Sequence, residues 1–219
     1  HRDLHYPLRR QRQMCIRDRV TPAQTTTYRL TATGSGTTVS ANLTVTVQQP
    51  THRVVLTADS EISGFVRSSG AFTTGFVYVG DDSNNRGIQG FVTFDISSIP
   101  AGATITRVVV DMSTYEIPFQ CPHPYFGCLG AYAHPYYTLY GQYRTGAVSA
   151  PIGEWCSLHE LSTASTMAGF RTALQQKVGQ NLFQFRLQFA DMETDFDETN
   201  DLYRWPVNRL PRMTVEYTT

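Results

Sequence analysis

Six carboxylates crowd into eleven residues: Asp191, Glu193, Asp195, Asp197, Glu198 and Asp201. Like charges at that density repel one another unless water or a cation offsets them. The run Asp195-x-Asp197-x-Thr199-x-Asp201 sets oxygens at alternate positions, as calcium loops do. Its sixth position is not Gly and its twelfth is Pro206, so it is not an EF-hand loop. Calcium, with Asp191, Asp195, Asp197 and Asp201 as ligands, is the one cofactor the sequence suggests. A plainer reading is preferred: a solvated turn between strands over 182–189 and 202–205.

Sulfur and imidazole form a second group. Cys121-Pro-His-Pro-Tyr-Phe-Gly-Cys128 is a compact, turn-rich loop. A disulfide between Cys121 and Cys128 is expected there, worth roughly 2–2.5 kcal/mol on chain-entropy grounds. Pairing of either with Cys156 is the alternative, because sequence does not fix connectivity. Zinc held among Cys121, His123, Cys128, His134, Cys156 and His159 is the sharper reading, but the spacing matches no established zinc motif. His159-Glu160 begins a zincin-like run, yet position 163 is Thr rather than the second His.

Aromatic residues concentrate at 115–143: Tyr115, Phe119, Tyr125, Phe126, Tyr132, Tyr136, Tyr137, Tyr140 and Tyr143, with Trp155 close by. Exposed rings stack on sugar rings. Tyr125 and Phe126, at the tip of the cysteine loop, are expected to be exposed, with Tyr132 and Tyr136 next. Together with Trp155 they form the expected ligand-binding set. The same rings can instead pack beneath a long insert. No nucleophile elbow, phosphate-binding loop or dinucleotide fingerprint is present. Glu116, Glu154 and Glu160 are carboxylates free for glycoside chemistry, but nothing marks them. No catalytic residue is assigned.

These groups need elements to hold them. Residues 27–33 alternate and are β-branched, Gly34-Ser35-Gly36 turns, and Val39, Ala41, Leu43, Val45 and Val47 share one face of a second strand. This is a hairpin with one apolar face. After a linker at 49–51, strands are predicted over 53–57, 64–67, 76–79, 88–94, 104–115, 137–143, 182–189, 202–205 and 212–218. Phe183, Phe185, Leu187 and Phe189 make an apolar face opposite Gln184, Arg186 and Gln188. One helix is predicted over about 164–178, capped by Ser162 or Thr163, with Met167, Phe170, Leu174 and Val178 as its stripe and Gly179 as its stop. Many short strands with Gly, Pro, Asn and Ser turns predict an all-β, jelly-roll-like sandwich over 52–219.

Two resemblances follow from these residues. The pattern Thr25-Thr26-Thr27-Tyr28, then Leu30-Thr31-Ala32-Thr33-Gly34 and Leu43-Thr44-Val45-Thr46-Val47, resembles the last two strands of bacterial immunoglobulin-like repeats. Residues 20–48 are thus expected to be the end of a truncated repeat. Further on, Val79-Gly80-Asp81, Asn85-Arg86-Gly87, Phe94-Asp95-Ile96-Ser97-Ser98-Ile99-Pro100-Ala101-Gly102-Ala103-Thr104-Ile105 and Pro211-Arg212-Met213-Thr214-Val215-Glu216-Tyr217 resemble the disaggregatase-related-repeat (DNRLRE-type) bacterial jelly-roll modules over about 52–219. That resemblance implies an extracellular β-sandwich with polysaccharide-binding relatives. The literal DNRLRE string is absent.

The first nineteen residues read differently. Gln13-Met14-Cys15-Ile16-Arg17-Asp18-Arg19 resembles a translated sequencing adapter, so residues 1–19 are expected to be a non-native tail on a metagenomic fragment. They carry six Arg against two Asp, and the remainder carries 12 basic and 16 acidic residues, giving the 219-residue chain its net charge of zero. No basic stripe for nucleic acid emerges, and no apolar run approaches the length of a membrane span. The expectation is a secreted or cell-surface, monomeric, non-catalytic accessory module of a longer protein that binds a glycan. The alternatives are a structural spacer or adhesin module, and the C-terminal part of a carbohydrate-active enzyme.

Overall fold

The structure, a computed structural model, describes residues 20–47, 50–123, 125–144, 149–191 and 193–219. The segment read as an adapter tail lies outside these residues, as does part of the expected linker. The chain divides into two units between residues 49 and 50.

The first unit is a hairpin of β1 (Thr26–Gly34) and β2 (Thr37–Val45). Gly34 pairs with Thr37, leaving a two-residue turn in which Gly36 takes φ 88°. Tyr28 lies opposite Leu43, Leu30 opposite Ala41 and Ala32 opposite Val39, so the apolar residues share one face. The other face is laced by Thr27 with Thr44 at 3.0 Å and by Arg29 to Ser40 at 3.2 Å.

The second unit is an antiparallel β-sandwich. Its strands are β3 (His52–Thr57), β4 (Gly64–Arg67), β5 (Phe72–Thr74), β6 (Val77–Asp82), β7 (Arg86–Asp95), β8 (Thr104–Asp111), β9 (Leu129–Ala133), β10 (Gly153–Trp155), β11 (Ser165–Thr166), β12 (Leu182–Phe189), β13 (Leu202–Trp205) and β14 (Arg212–Thr218). The larger sheet runs β10-β9-β12-β7-β4-β5, with β6 pairing β7 and β13 pairing β6; the smaller runs β11-β8-β14-β3. Phe183, Phe185, Leu187 and Phe189 of β12 meet Val108 and Val110 of β8 and Met213 and Val215 of β14 in one buried core. The inward faces of the two sheets thus close on one another as a sandwich.

The segments expected as a strand over 137–143 and a helix over 164–178 depart from the sequence expectation. Residues 137–143 are not a strand. They belong to an irregular cover over the outer face of the larger sheet, where Tyr136 and Leu139 pack on Val66 and Phe91. Polar anchors fix this cover. The Arg144 amide donates to Gln89 Oε1 at 3.1 Å, Tyr136 and Thr93 share a hydroxyl hydrogen bond of 2.6 Å, and Gln184 Nε2 donates to the Tyr136 carbonyl at 2.9 Å. The helix is also shorter than expected. Ser165 and Thr166 pair with β8 as a strand, so α2 spans only Ala168–Gln175 behind Met167. Phe170 and Leu174 are buried, as the stripe predicts, and Gly179 follows at φ 87°. A Cβ on Gly169 would sit 2.2 Å from the Ile152 carbonyl oxygen, so this glycine lets the helix lie against the chain beside β10. A short α1 (Leu158–Leu161) precedes it, with Ser157 accepting from the Glu160 amide and Glu160 Oε2 accepting from the Cys156 amide. This is a variant of the capping box, written in the sequence as Ser157-x-x-Glu160.

Candidate functional site

The expected disulfide between Cys121 and Cys128 does not form; Cys128 pairs with Cys156, and Cys121 is a free thiol. The register of β9 and β10 explains this. Trp155 lies opposite Leu129 and Glu154 opposite Gly130, which carries Cys156 to the position facing Cys128. With both sulfurs in a covalent bond, neither can serve the zinc set considered above.

Cys121 instead lies 3.3 Å from the Tyr203 hydroxyl. His123 is buried; its Nε2 donates to the Trp155 carbonyl at 3.0 Å, which leaves Nδ1 to accept from the Tyr203 hydroxyl. Desolvation pushes the imidazole below its ordinary pKa, against the hydrogen bond to Trp155 and the charge of Glu160, and burial pushes the Tyr203 phenol up. The imidazole thus reaches the Cys121 thiol only through the Tyr203 hydroxyl.

Most of the expected glycan-binding rings are core residues. Phe126 and Trp155 have no exposure; Tyr132 is buried against Arg186, and Tyr136 is buried where the cover packs on the sheet. Phe126 packs edge-on against Phe189, and Trp155 against Phe170. Only Tyr125 of the expected set stands in solvent, at 70% exposure. The exposed rings near it in sequence are ones the sequence did not single out. Tyr137 is wholly exposed and Tyr140 is 73% exposed, with Tyr140 edge-on to the half-exposed Phe72 of β5 at 6.4 Å. Composition treats Tyr136 and Tyr137 alike; the fold of the cover separates them.

Among the free carboxylates, Glu116 accepts from Arg204 and from Arg209 at 3.1 Å, and its pKa is held low by Arg204 first. Glu160 caps α1, and Glu154 is exposed.

The acidic loop splits. Asp197 spends its carboxylate on the Thr199 amide and hydroxyl, at 2.8 and 2.7 Å, in a local turn. Asp191 lies against Gly127. Asp195 and Asp201 come together, and a residue from far away joins them: one carboxylate oxygen each from Asp81, Asp195 and Asp201 lies within 4.8 Å of the others. Of the expected set, the structure brings Asp195 and Asp201 together beside Asp81, and places Asp191 and Asp197 in other contacts.

Asp81 arrives through the pairing of β6 with β13. Its amide donates to the Asp201 carbonyl at 2.9 Å, and the Asp201 amide donates to Asp81 Oδ1 at 3.3 Å. A Cβ on Gly80 would sit 1.9 Å from that Asp201 oxygen, and Gly80 adopts φ 132°, so glycine is required for this approach. Asn85 Oδ1 accepts the Glu198 amide at 3.0 Å and Asn200 Oδ1 accepts the Ser83 amide at 3.2 Å, tying the two loops together. The neighbouring carboxylates have opposite fates. Asp82 forms ion pairs with Arg67 at 3.0 Å and Arg86 at 2.8 Å; burial alone would raise its pKa, but the Arg86 and amide hydrogen bonds hold it low. Asp81 has no exposure and no cation, and its Oδ2 has no hydrogen-bond partner. Desolvation, with the charges of Asp195 and Asp201 added, pushes its pKa up to about 6 against the Thr194 hydroxyl and the Asp201 amide. Asp201 is raised likewise, by burial first and then by Asp195 and Asp197.

Compared with known proteins, the chain matches no family model, no curated protein and no solved structure. No helix among the described residues is long and apolar enough to cross a membrane.

Proposed function

We propose that the sandwich is a non-catalytic, disulfide-braced module of an exported protein that holds a glycan on exposed aromatic side chains. The observation that carries this reading is the presentation of Tyr137 and Tyr140 to solvent from a cover pinned to the sheet, with Phe72 against Tyr140. Large rings held in water by a fixed framework lose little conformational freedom on binding, and their faces suit the C–H faces of sugars. The disulfide accords with an oxidising compartment. The resemblance to bacterial jelly-roll modules points to the same ligand class.

The test is a polysaccharide panel by affinity electrophoresis and glycan array, with the full chain and Tyr137→Ala/Tyr140→Ala. Retention by at least one polysaccharide, weakened tenfold or more in the double variant (about 1.4 kcal/mol), is the expected result. Tyr125→Ala reports whether the cysteine loop shares the site. Uniform silence across the panel overturns the reading and leaves a structural module, which the coverage of the larger sheet's outer face favours.

A further inference from the structure

The geometry points to a calcium site at Asp81, Asp195 and Asp201, clamping residues 194–201 onto the end of β6. This inference is independent of the carbohydrate reading.

Three observations support it. The three carboxylate oxygens lie within 4.8 Å of one another, the span across a cation whose oxygen ligands stand at about 2.4 Å. Proximity alone is common among acidic residues, so the second observation matters more. Asp81 is completely buried; Oδ1 takes the Asp201 amide, and Oδ2 has no partner at hydrogen-bond distance, although the Thr194 side chain lies near enough to lower the carboxyl's pKa. A buried charged oxygen with no partner is costly, and native structures seldom keep one without an ion, a water or a function. Third, the chain provides no internal counter-charge: Asp82 next door holds Arg67 and Arg86, while none of Asp81, Asp195 and Asp201 forms an ion pair among the described residues. The donors are all hard oxygens, which excludes a preference for zinc or copper. Magnesium demands near-ideal octahedral geometry, whereas calcium accepts an irregular set completed by water, and the exposed Asp195 leaves that side open to it.

Thermal melting of the full chain tests the site after chelator treatment, with calcium chloride or magnesium chloride restored to 10 mM. Asp81→Asn and Asp195→Asn are compared in parallel. Calcium in hundredfold excess over its Kd is expected to raise the melting temperature by about 5–10 °C. Both variants are expected to lose that shift, and Asp195, being exposed, can be replaced without disturbing the core. Isothermal titration is expected to count one calcium per chain. Absence of a shift in the unaltered chain overturns the proposal. So does a shift that persists in either variant, since the ion would then sit elsewhere. An equal shift with magnesium overturns the assignment to calcium.

Discussion

His123 is enclosed by the rings of Phe189 and Tyr203 and commits both nitrogens to hydrogen bonds, with the Tyr203 hydroxyl and the Trp155 carbonyl. Charging it would cost desolvation and would turn Nδ1 from an acceptor into a donor facing a hydroxyl. Its pKa in the folded chain therefore lies below the ordinary 6.5, and Glu160 only partly opposes the shift. As pH falls below that value the unfolded chain takes up the proton first, so His123 contributes stability above about pH 6.5 that is lost as pH falls through the folded pKa. Asp81 pulls the other way, because a carboxyl raised to about 6 favours the folded state more at low pH. The two are separated by a variant. The stability advantage of the unaltered chain over His123→Gln is expected to shrink from pH 7 to pH 5, by no more than about 1.4 kcal/mol per pH unit. Urea titrations at each pH measure it, and a difference that does not change with pH would show that the imidazole is not buried neutral.

The strand pair β9–β10 shows how an element decides chemistry that residues leave open. The short spacing from Cys121 to Cys128 does not choose the pairing; the antiparallel register of Ala131 with Gly153 does. Closing the longer loop, with a separation of 28, contributes about 3.5 kcal/mol on chain-entropy grounds. Cys128→Ser/Cys156→Ser, or reduction, is expected to lower the melting temperature by about 7–14 °C, whereas Cys121→Ser shifts it by less than about 2 °C. Equal sensitivity of Cys121→Ser would place the bridge elsewhere. Legibility in the sequence follows the same division. Strands β12 and β14 are readable to the residue because apolar and polar residues alternate along them. Strand β8 is expected to reach 115 but stops at Asp111, whose carboxylate accepts from the Ser113 amide and hydroxyl and turns the chain. Strands β5, β10 and β11 have two or three residues, too few for a period, and exist only through their partners. Within the site, Asp195 and Asp201 are visible as neighbours in an acidic run. Asp81 is not, because strand pairing alone brings it across 120 residues.

At the scale of the molecule the two units differ in what they bury. The core of the sandwich is drawn entirely from its own residues, with Val54 at one end and Tyr217 at the other. The hairpin keeps Leu30, Val39 and Leu43 more than 60% exposed, and a two-stranded hairpin is marginal in water. Cooperative unfolding should then belong to the sandwich alone. A chain trimmed to begin at Pro50 is expected to melt within about 2 °C of the full chain, because the cut removes no member of the core. Hydrogen exchange gives the same contrast without a cut. Amides of β7 and β12, in the middle of the larger sheet, are expected to exchange only through global unfolding, while amides of β1 and β2 exchange orders of magnitude faster. Slow exchange in the hairpin, or a trimmed chain that melts more than about 5 °C lower, would overturn this division of stability.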